Sequence, residues 1–247
     1  MKRFSALVVT FLILALAPFA QAKTYVNGID ANYPPFSYID EQGNPTGFDI
    51  ESMNWIAKKM GFEVQHTPIN WDGIIPALQA KKIDMICSGM SISEERKQAV
   101  NFSTPYYSIK KYIAVKNDSN LTVEELFKGK FTLGVQRGTN EHDLLQSRID
   151  KENLAVSLRL YDSPPMSVED LLNGRIDAIA IDSAPAEDAI RNGKAIKIVG
   201  EYAEGDDFGV AVNKDNAELL KLINDGYELL KKDALWEELH TKYLSNH

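Results

Sequence analysis

Cysteine is almost absent from this chain. Cys87 is the only one among 247 residues, so no intrachain disulfide can hold the fold, even in an oxidising compartment. It ends the apolar run from Ile83 and reads as a small core residue rather than a reactive thiol. Histidine is scarce too. His66, His142, His240 and His247 are scattered without metal-ligand spacing, so neither metal nor cofactor is expected. Basic clusters are missing: 27 Lys and Arg stand against 35 Asp and Glu, a formal charge of −8. That balance argues against nucleic acid and against anionic membrane surfaces as partners. No G-x-S-x-G, P-loop or G-x-G-x-x-G occurs. The adjacent acids Asp206-Asp207 and Glu94-Glu95 read as solvated surface, so no catalytic residues are assigned.

The one long apolar run lies at the start. Lys2 and Arg3 precede the 12-residue stretch Ala6 to Ala17, broken only by Thr10, and Ala20-Gln21-Ala22 has the A-x-A form. This is a secretory leader with cleavage expected after Ala22, and its apolar run is too short for a membrane span. No later segment is long and apolar enough to cross a bilayer, and no Cys follows the cleavage site to carry a lipid. An exported, soluble product is expected.

Strand and helix signals alternate along the rest. Strands are read at Thr24 to Ile29, Phe62 to Thr67, Ile83 to Cys87, Tyr112 to Lys116, Phe131 to Val135, Val156 to Leu160, Ile176 to Ile181 and Phe208 to Val212. Helices are read at Phe48 to Met60, from Asp72 as N-cap, from the Thr122-x-x-Glu125 capping box, around Asp143 to Ile149, Val168 to Asn173, Ser183 to Asn192, and from Asp215 as cap to about Lys232. Repeated β-α units imply a parallel sheet covered by helices on both faces. Lys82-Ile83-Asp84-x-Ile86 recurs as Arg175-Ile176-Asp177-x-Ile179, which suggests two similar α/β lobes.

Ligands in open α/β sheets sit beyond the carboxyl ends of strands. The candidate positions are therefore Asp30, the run Ser88-Gly89-Met90-Ser91, the turn Gly138-Thr139-Asn140, and Asp182. Ser93 is a helix N-cap with Glu94 and Glu95 in the first turn, where the cation Arg96 opposes the helix dipole. Arg96 either pairs with a neighbouring Glu or is aimed into the site to hold a carboxylate. Backbone amides at Ser91 and at Thr139 or Asn140 would add donors. Asp182 would take an ammonium with Ser88 or Ser91, and Tyr33 and Trp71 would flank a side chain. Asp30 is a spare carboxylate and hints at a cationic side chain. Each residue has a plainer role open to it: Asp182 and Asp72 as helix caps, Tyr33 and Trp71 as packing aromatics, Asp30 as a turn residue.

Several motifs in order carry a family resemblance. They include Gly28-Ile29-Asp30-Ala31-Asn32-Tyr33-Pro34-Pro35-Phe36, Gly47-Phe48-Asp49-Ile50, Ser88-Gly89-Met90-Ser91-Ile92-Ser93-x-x-Arg96, Gly134-Val135-x-x-Gly138-Thr139 and Gly174-Arg175-Ile176-Asp177-Ala178. From about Tyr25 to Leu244 the chain resembles the periplasmic solute-binding proteins of polar amino-acid ABC importers (bacterial extracellular solute-binding protein family 3). The resemblance implies the two-lobed periplasmic binding protein fold (type II). Each lobe would be a mixed, mostly parallel sheet flanked by helices, and two hinge strands would join them. Lobe 1 is expected at 23–108 and 209–247, and lobe 2 at 109–208.

It also implies Arg96 on the α-carboxylate and Asp182 with Ser88 or Gly89 on the α-amino group. The function implied is capture of a free amino acid, polar and basic or else glutamine, by a periplasmic monomer that delivers it to an inner-membrane ABC permease. Arg137, if it faced the cleft, would disfavour a cationic side chain. Two rivals share the fold: a cyclohexadienyl dehydratase-like enzyme and a ligand-sensing module.

Overall fold

Burial along single strands sets the architecture. In the computed structural model, which describes residues 22–244, the strand Ala178–Asp182 is buried along its whole length. Ala178 and Ala180 pack with Ile113, Val115, Leu133 and Leu145, while Ile179 and Ile181 pack with Ala114, Val168, Leu171 and Ala186. Side chains alternate across a strand, so helices must cover both faces of this sheet. The helices Val123–Lys128 and Asn140–Glu152 supply one layer, and Pro164–Leu172 and Ser183–Arg191 the other.

The chain builds two such sheets, one per lobe. The first has the order Glu63–Pro68, Thr24–Ile29, Met85–Ile86, Ala211–Val212, Asn101–Phe102. Its first three strands are parallel and Ala211–Val212 is antiparallel to both neighbours. The second has the order Ser157–Tyr161, Thr132–Gln136, Ala178–Asp182, Tyr107–Lys116, Ile196–Phe208. Again three strands are parallel, and Tyr107–Lys116 runs antiparallel to both neighbours. A short antiparallel sheet of Asn32–Tyr33, Ser37–Ile39 and Pro45–Thr46 sits beside the first. The chain passes between the two large sheets after Phe102 and returns after Phe208. The two passages are tied together where Ser103 N donates to Val210 O, Val210 N to Ser103 Oγ and Tyr106 N to Phe208 O.

The internal echo in the sequence has a structural counterpart. Asp84 Oδ2 accepts from Val26 N and Asp177 Oδ2 accepts from Thr132 N, both at 2.7 Å. Each Asp thus pins the start of one parallel strand to the next. The isoleucine before each Asp presses on a glycine of that neighbouring strand: a Cβ on Gly28 would lie 2.4 Å from Ile83 Cδ1, and one on Gly134 2.6 Å from Ile176 Cδ1. The same four-residue device is therefore used once in each sheet.

Local signals correspond to these elements, with specific departures. Helix Phe48–Met60 ends at Gly61 in the left-handed conformation, and Thr122 and Glu125 form a reciprocal capping box. Ser93 Oγ accepts from Arg96 N. Asp72 caps nothing, because a 3-10 turn Trp71–Gly73 precedes the helix Ile74–Gln79. Asp215 pairs with Lys81, and Asn216 is the residue that caps helix Ala217–Leu230. The long strand Ile196–Phe208 went unread. Its outer half, Gly200 to Asp207, carries glycine and acids that resemble a turn, but it is an edge strand with register shifts at Gly200, Ala203 and Asp206. Both sheets are mixed rather than purely parallel, through Ala211–Val212 in the first and Tyr107–Lys116 in the second. The leader expected at residues 1–22 lies outside the described residues, apart from Ala22.

Candidate functional site

The carboxyl ends of the parallel strands in both sheets face each other across the junction of the lobes. Asp30 follows Thr24–Ile29, Ser88 follows Met85–Ile86, Gly138 and Thr139 follow Thr132–Gln136, and Asp182 ends its own strand. Between them lies a cavity with about 500 Å³ of space, mouth included. Asp30, Tyr33, Trp71, Ser88, Gly89, Ser91, Arg96, Thr139 and Asp182 all line it.

Arg96 reaches the cavity from the first turn of the helix Glu94–Ala99, which Ser93 caps. Its guanidinium is buried, donating from Nη1 to Ser91 O at 3.0 Å and from Nη2 to Gly138 O at 3.3 Å. The ring of Trp71 lies under it, 5.5 Å from Cζ. No carboxylate pairs with it among the described residues. Burial lowers its pKa, with Glu141, Asp206, Asp143 and Asp182 pulling the other way from a distance.

Asp182 faces Arg96's lobe. Tyr33 Oη donates to Asp182 Oδ2 at 2.5 Å, while Asp182 Oδ1 is buried with no donor. Burial holds the Asp182 carboxyl well above the usual range, and the charge of Glu141 adds to this. Lys111 and the Tyr33 hydrogen bond oppose it. The Tyr33 hydroxyl is raised far above its ordinary value, first by burial and then by Asp182, so it stays a donor.

Asp30 forms the third corner. Its Oδ1 accepts from Asn32 N, and its Oδ2 accepts from Gln136 Nε2 at 2.7 Å across the lobes. Ser88 Oγ accepts from Asp30 N and shares a 2.7 Å contact with Ser37 Oγ. Burial raises the Asp30 carboxyl, against its two donors. Gly89 is needed at this wall: its φ is +60°, and a Cβ there would meet the Tyr33 ring at 2.4 Å. Tyr33–Asp182, Gln136–Asp30, Trp71–Gly138 and Arg96–Gly138 all cross from one lobe to the other, so the cleft is closed in this structure.

Three expected residues lie off the wall. Met90 packs with Ile74, Leu78 and Ile86 in the core of the first lobe. Arg137 turns outward toward Asp162 with a half-exposed side chain, so its charge does not enter the cavity. Asn140 is not among the wall residues, and its side chain donates to Asp206 Oδ2.

Other wall residues went unread, notably Gln136 and Glu141. Behind Glu141 sits Lys111, buried, with Nζ 2.8 Å from Glu141 Oε1 and also paired to Asp206. Burial opposes the Lys111 charge, but Glu141, Asp182 and Asp206 together raise its pKa. One signal was present: Ile109, Lys111, Ile113 and Val115 alternate on one strand face, which places a lysine in a buried register. Among the described residues no group of histidines, cysteines and carboxylates could hold a metal ion, and no helix is long and apolar enough to cross a membrane.

Residues 25–246 match the family described as bacterial extracellular solute-binding proteins, family 3. The chain is 34% identical over 223 residues to the L-cystine-binding protein of Escherichia coli (strain K12), covering 89% of this chain and 82% of that protein. It is 32% identical over 242 residues to the L-arginine-binding protein of Pseudomonas aeruginosa, covering 94% and 92%. Among solved structures, an ancestral arginine-binding protein bound to arginine superposes with a TM-score of 0.83 at 37% identity, over 91% of this chain and 100% of that one. Each of these relatives is described by the amino acid it binds, L-cystine in one and arginine in the other two.

Proposed function

The chain belongs to the bacterial extracellular solute-binding proteins of family 3, and on that premise we propose that it captures one free amino acid in the cavity between its lobes. The observation that carries this is Arg96, a buried cation whose contacts are two backbone carbonyls and an aromatic face. A desolvated guanidinium without a counter-ion is costly, and it has N–H donors left beyond the two it spends. An α-carboxylate supplies both the charge and the paired acceptors. Asp182 Oδ1, buried and without a donor, suits the α-ammonium.

The side chain then lies toward Asp30, between Trp71 and Tyr33. Asp30, Glu141 and Asp182 outnumber Arg96 on the wall, and Lys111 behind them does not make up the difference. Arg137, the one cation that would have opposed it, faces outward. A cationic side chain such as that of arginine, lysine or histidine balances the site best, with glutamine next. The relatives' arginine and cystine descriptions are in keeping with a polar ligand.

Capture works by closure. The two passages near residues 103–108 and 208–210 act as the hinge between a first lobe of 23–108 with 209–247 and a second of 109–208. The cross-lobe hydrogen bonds at the cavity latch it. Exported by its leader and cleaved after Ala22, the monomer would present the closed form to an inner-membrane ABC permease in the periplasm.

A thermal-shift panel of the twenty amino acids with ornithine, citrulline and cystine tests the reading. Ligand at a hundred times Kd stabilises by about 2.7 kcal/mol, which for a domain of this size raises Tm by roughly 5–10 °C. Asp30→Asn should shift the preference from arginine toward glutamine. A panel in which no amino acid raises Tm would reject the assignment.

A further inference from the structure

Asp182 is short of one hydrogen bond, because no donor pairs with its second carboxylate oxygen. Its Oδ2 accepts from Tyr33, but its Oδ1 is buried and unpartnered. A second carboxylate, Glu141, lines the same cavity wall, and its charge acts on Asp182. Lys111 compensates Glu141 at 2.8 Å and also pairs with Asp206. Two ionised carboxylates facing each other without a donor between them are unfavourable in a dry site. A proton on Asp182 Oδ1, donated to Glu141, satisfies the orphan oxygen and removes the repulsion.

We infer that in the empty protein Asp182 is a carboxylic acid hydrogen-bonded to Glu141, and that the ligand's ammonium displaces this proton, so that capture of one ligand releases one proton to solvent. The inference rests on the reading of the cavity as an amino-acid site. It makes Glu141 a ligand-binding residue, since the ammonium enters between the two carboxylates. The exchange conserves charge within the wall: one ammonium in, one proton out.

The surrounding groups are in keeping with it. Tyr33 faces Asp182 from the first lobe, Glu141 from helix Asn140–Glu152 and Lys111 from the adjoining strand. Arg96, Tyr107 and Tyr202 act from farther away. The three tyrosines all have pKa values raised first by burial and remain neutral, and the two cations remain charged. Ionisation of Asp182 is opposed by burial first and by Glu141 next.

Titration calorimetry at pH 7 in phosphate and in Tris reads the released proton directly, as the slope of observed enthalpy against the buffer's ionisation enthalpy. L-arginine, L-glutamine and L-cystine serve in turn as probes. The expected slope for the wild-type protein is about one proton per ligand bound, with affinity rising as pH rises, by up to tenfold per unit while Asp182 stays protonated. Glu141→Gln should bind more weakly, having lost one of the two carboxylates around the ammonium, and should release clearly less than one proton per ligand, because the amide can donate to Asp182 Oδ1 and the neighbouring charge is gone. Binding with no buffer dependence in the wild-type protein overturns the inference while leaving the amino-acid reading standing. So does a Glu141→Gln protein that still releases one proton. Absence of heat with these three probes and with every other member of the thermal-shift panel removes the amino-acid reading, and the inference with it.

Discussion

Asp49 offers a test of how the core supports the cavity. It is fully buried in the first turn of helix Phe48–Met60. Its Oδ2 accepts from Gly89 N at 2.6 Å and from Tyr106 Oη at 2.8 Å, and its Oδ1 has no partner. It therefore holds the cavity wall at Gly89 from behind. Burial pushes its carboxyl from 3.8 up to about 7, although both hydrogen bonds pull it down. A carboxyl whose pKa is higher in the folded state binds more protons folded than unfolded between those two values. Its contribution is thus fully present at low pH and is lost as pH rises through about 7. Three pKa units correspond to about 4 kcal/mol in all, of which about 3 kcal/mol disappears between pH 5 and pH 8. Asp49→Asn keeps an acceptor for Gly89 and Tyr106 but cannot ionise. Urea unfolding of both proteins at pH 5 and pH 8 isolates Asp49, since every other group titrates equally in the two. The stability of Asp49→Asn relative to wild type should improve by about 2–3 kcal/mol from pH 5 to pH 8. A difference that stays constant, or moves the other way, would refute the argument that burial dominates at this residue.

Two further outcomes follow from the wall and its backing. Gly89→Ala must hold a side chain at φ +60° against the Tyr33 ring; calorimetry should show weakened ligand binding together with a lower Tm, and unchanged binding would mean that the wall can yield. Lys111→Met leaves Glu141 and Asp206 without their shared cation. It should cost about 3–5 kcal/mol, read as a Tm roughly 10 °C lower, and adding Glu141→Gln should recover part of the loss.

How much of this was legible depends on whether a residue's signal was local. Ser93, Thr122, Gly61 and the Ile-Asp echo announce themselves because caps and strand starts are decided within a few residues. Arg96 was visible as a cation at a helix start, and Asp30 and Asp182 as polar strand ends; the structure brings all three to one cavity. Arg137 and Asn140 are neighbours of Thr139 in sequence, yet the turn at Gly138 and the start of the helix send them elsewhere. Met90 lies between two wall residues, but its side chain falls on the core side. Glu141 and Gln136 were missed because a first-turn acid and a strand-end amide have ordinary local reasons to be there. Their meaning comes from Lys111 and Asp30, 30 and 106 residues away. The strand Ile196–Phe208 was missed because its pairing with Tyr107–Lys116 overrides a turn-like composition.

The central claim is that Arg96 holds the ligand's carboxylate, and calorimetry on both sides of that contact tests it most directly. The amino acid selected by the thermal-shift panel is titrated into wild type and Arg96→Ala, followed by its amine counterpart lacking the carboxylate (agmatine in the case of arginine). Charge-assisted hydrogen bonds contribute about 1.5–3 kcal/mol each, so losing a bidentate pair should weaken the amino acid by at least a hundredfold. The amine should bind both proteins comparably weakly, because neither complex contains the contact. An Arg96→Ala protein that binds the amino acid within a few-fold of wild type would contradict the account.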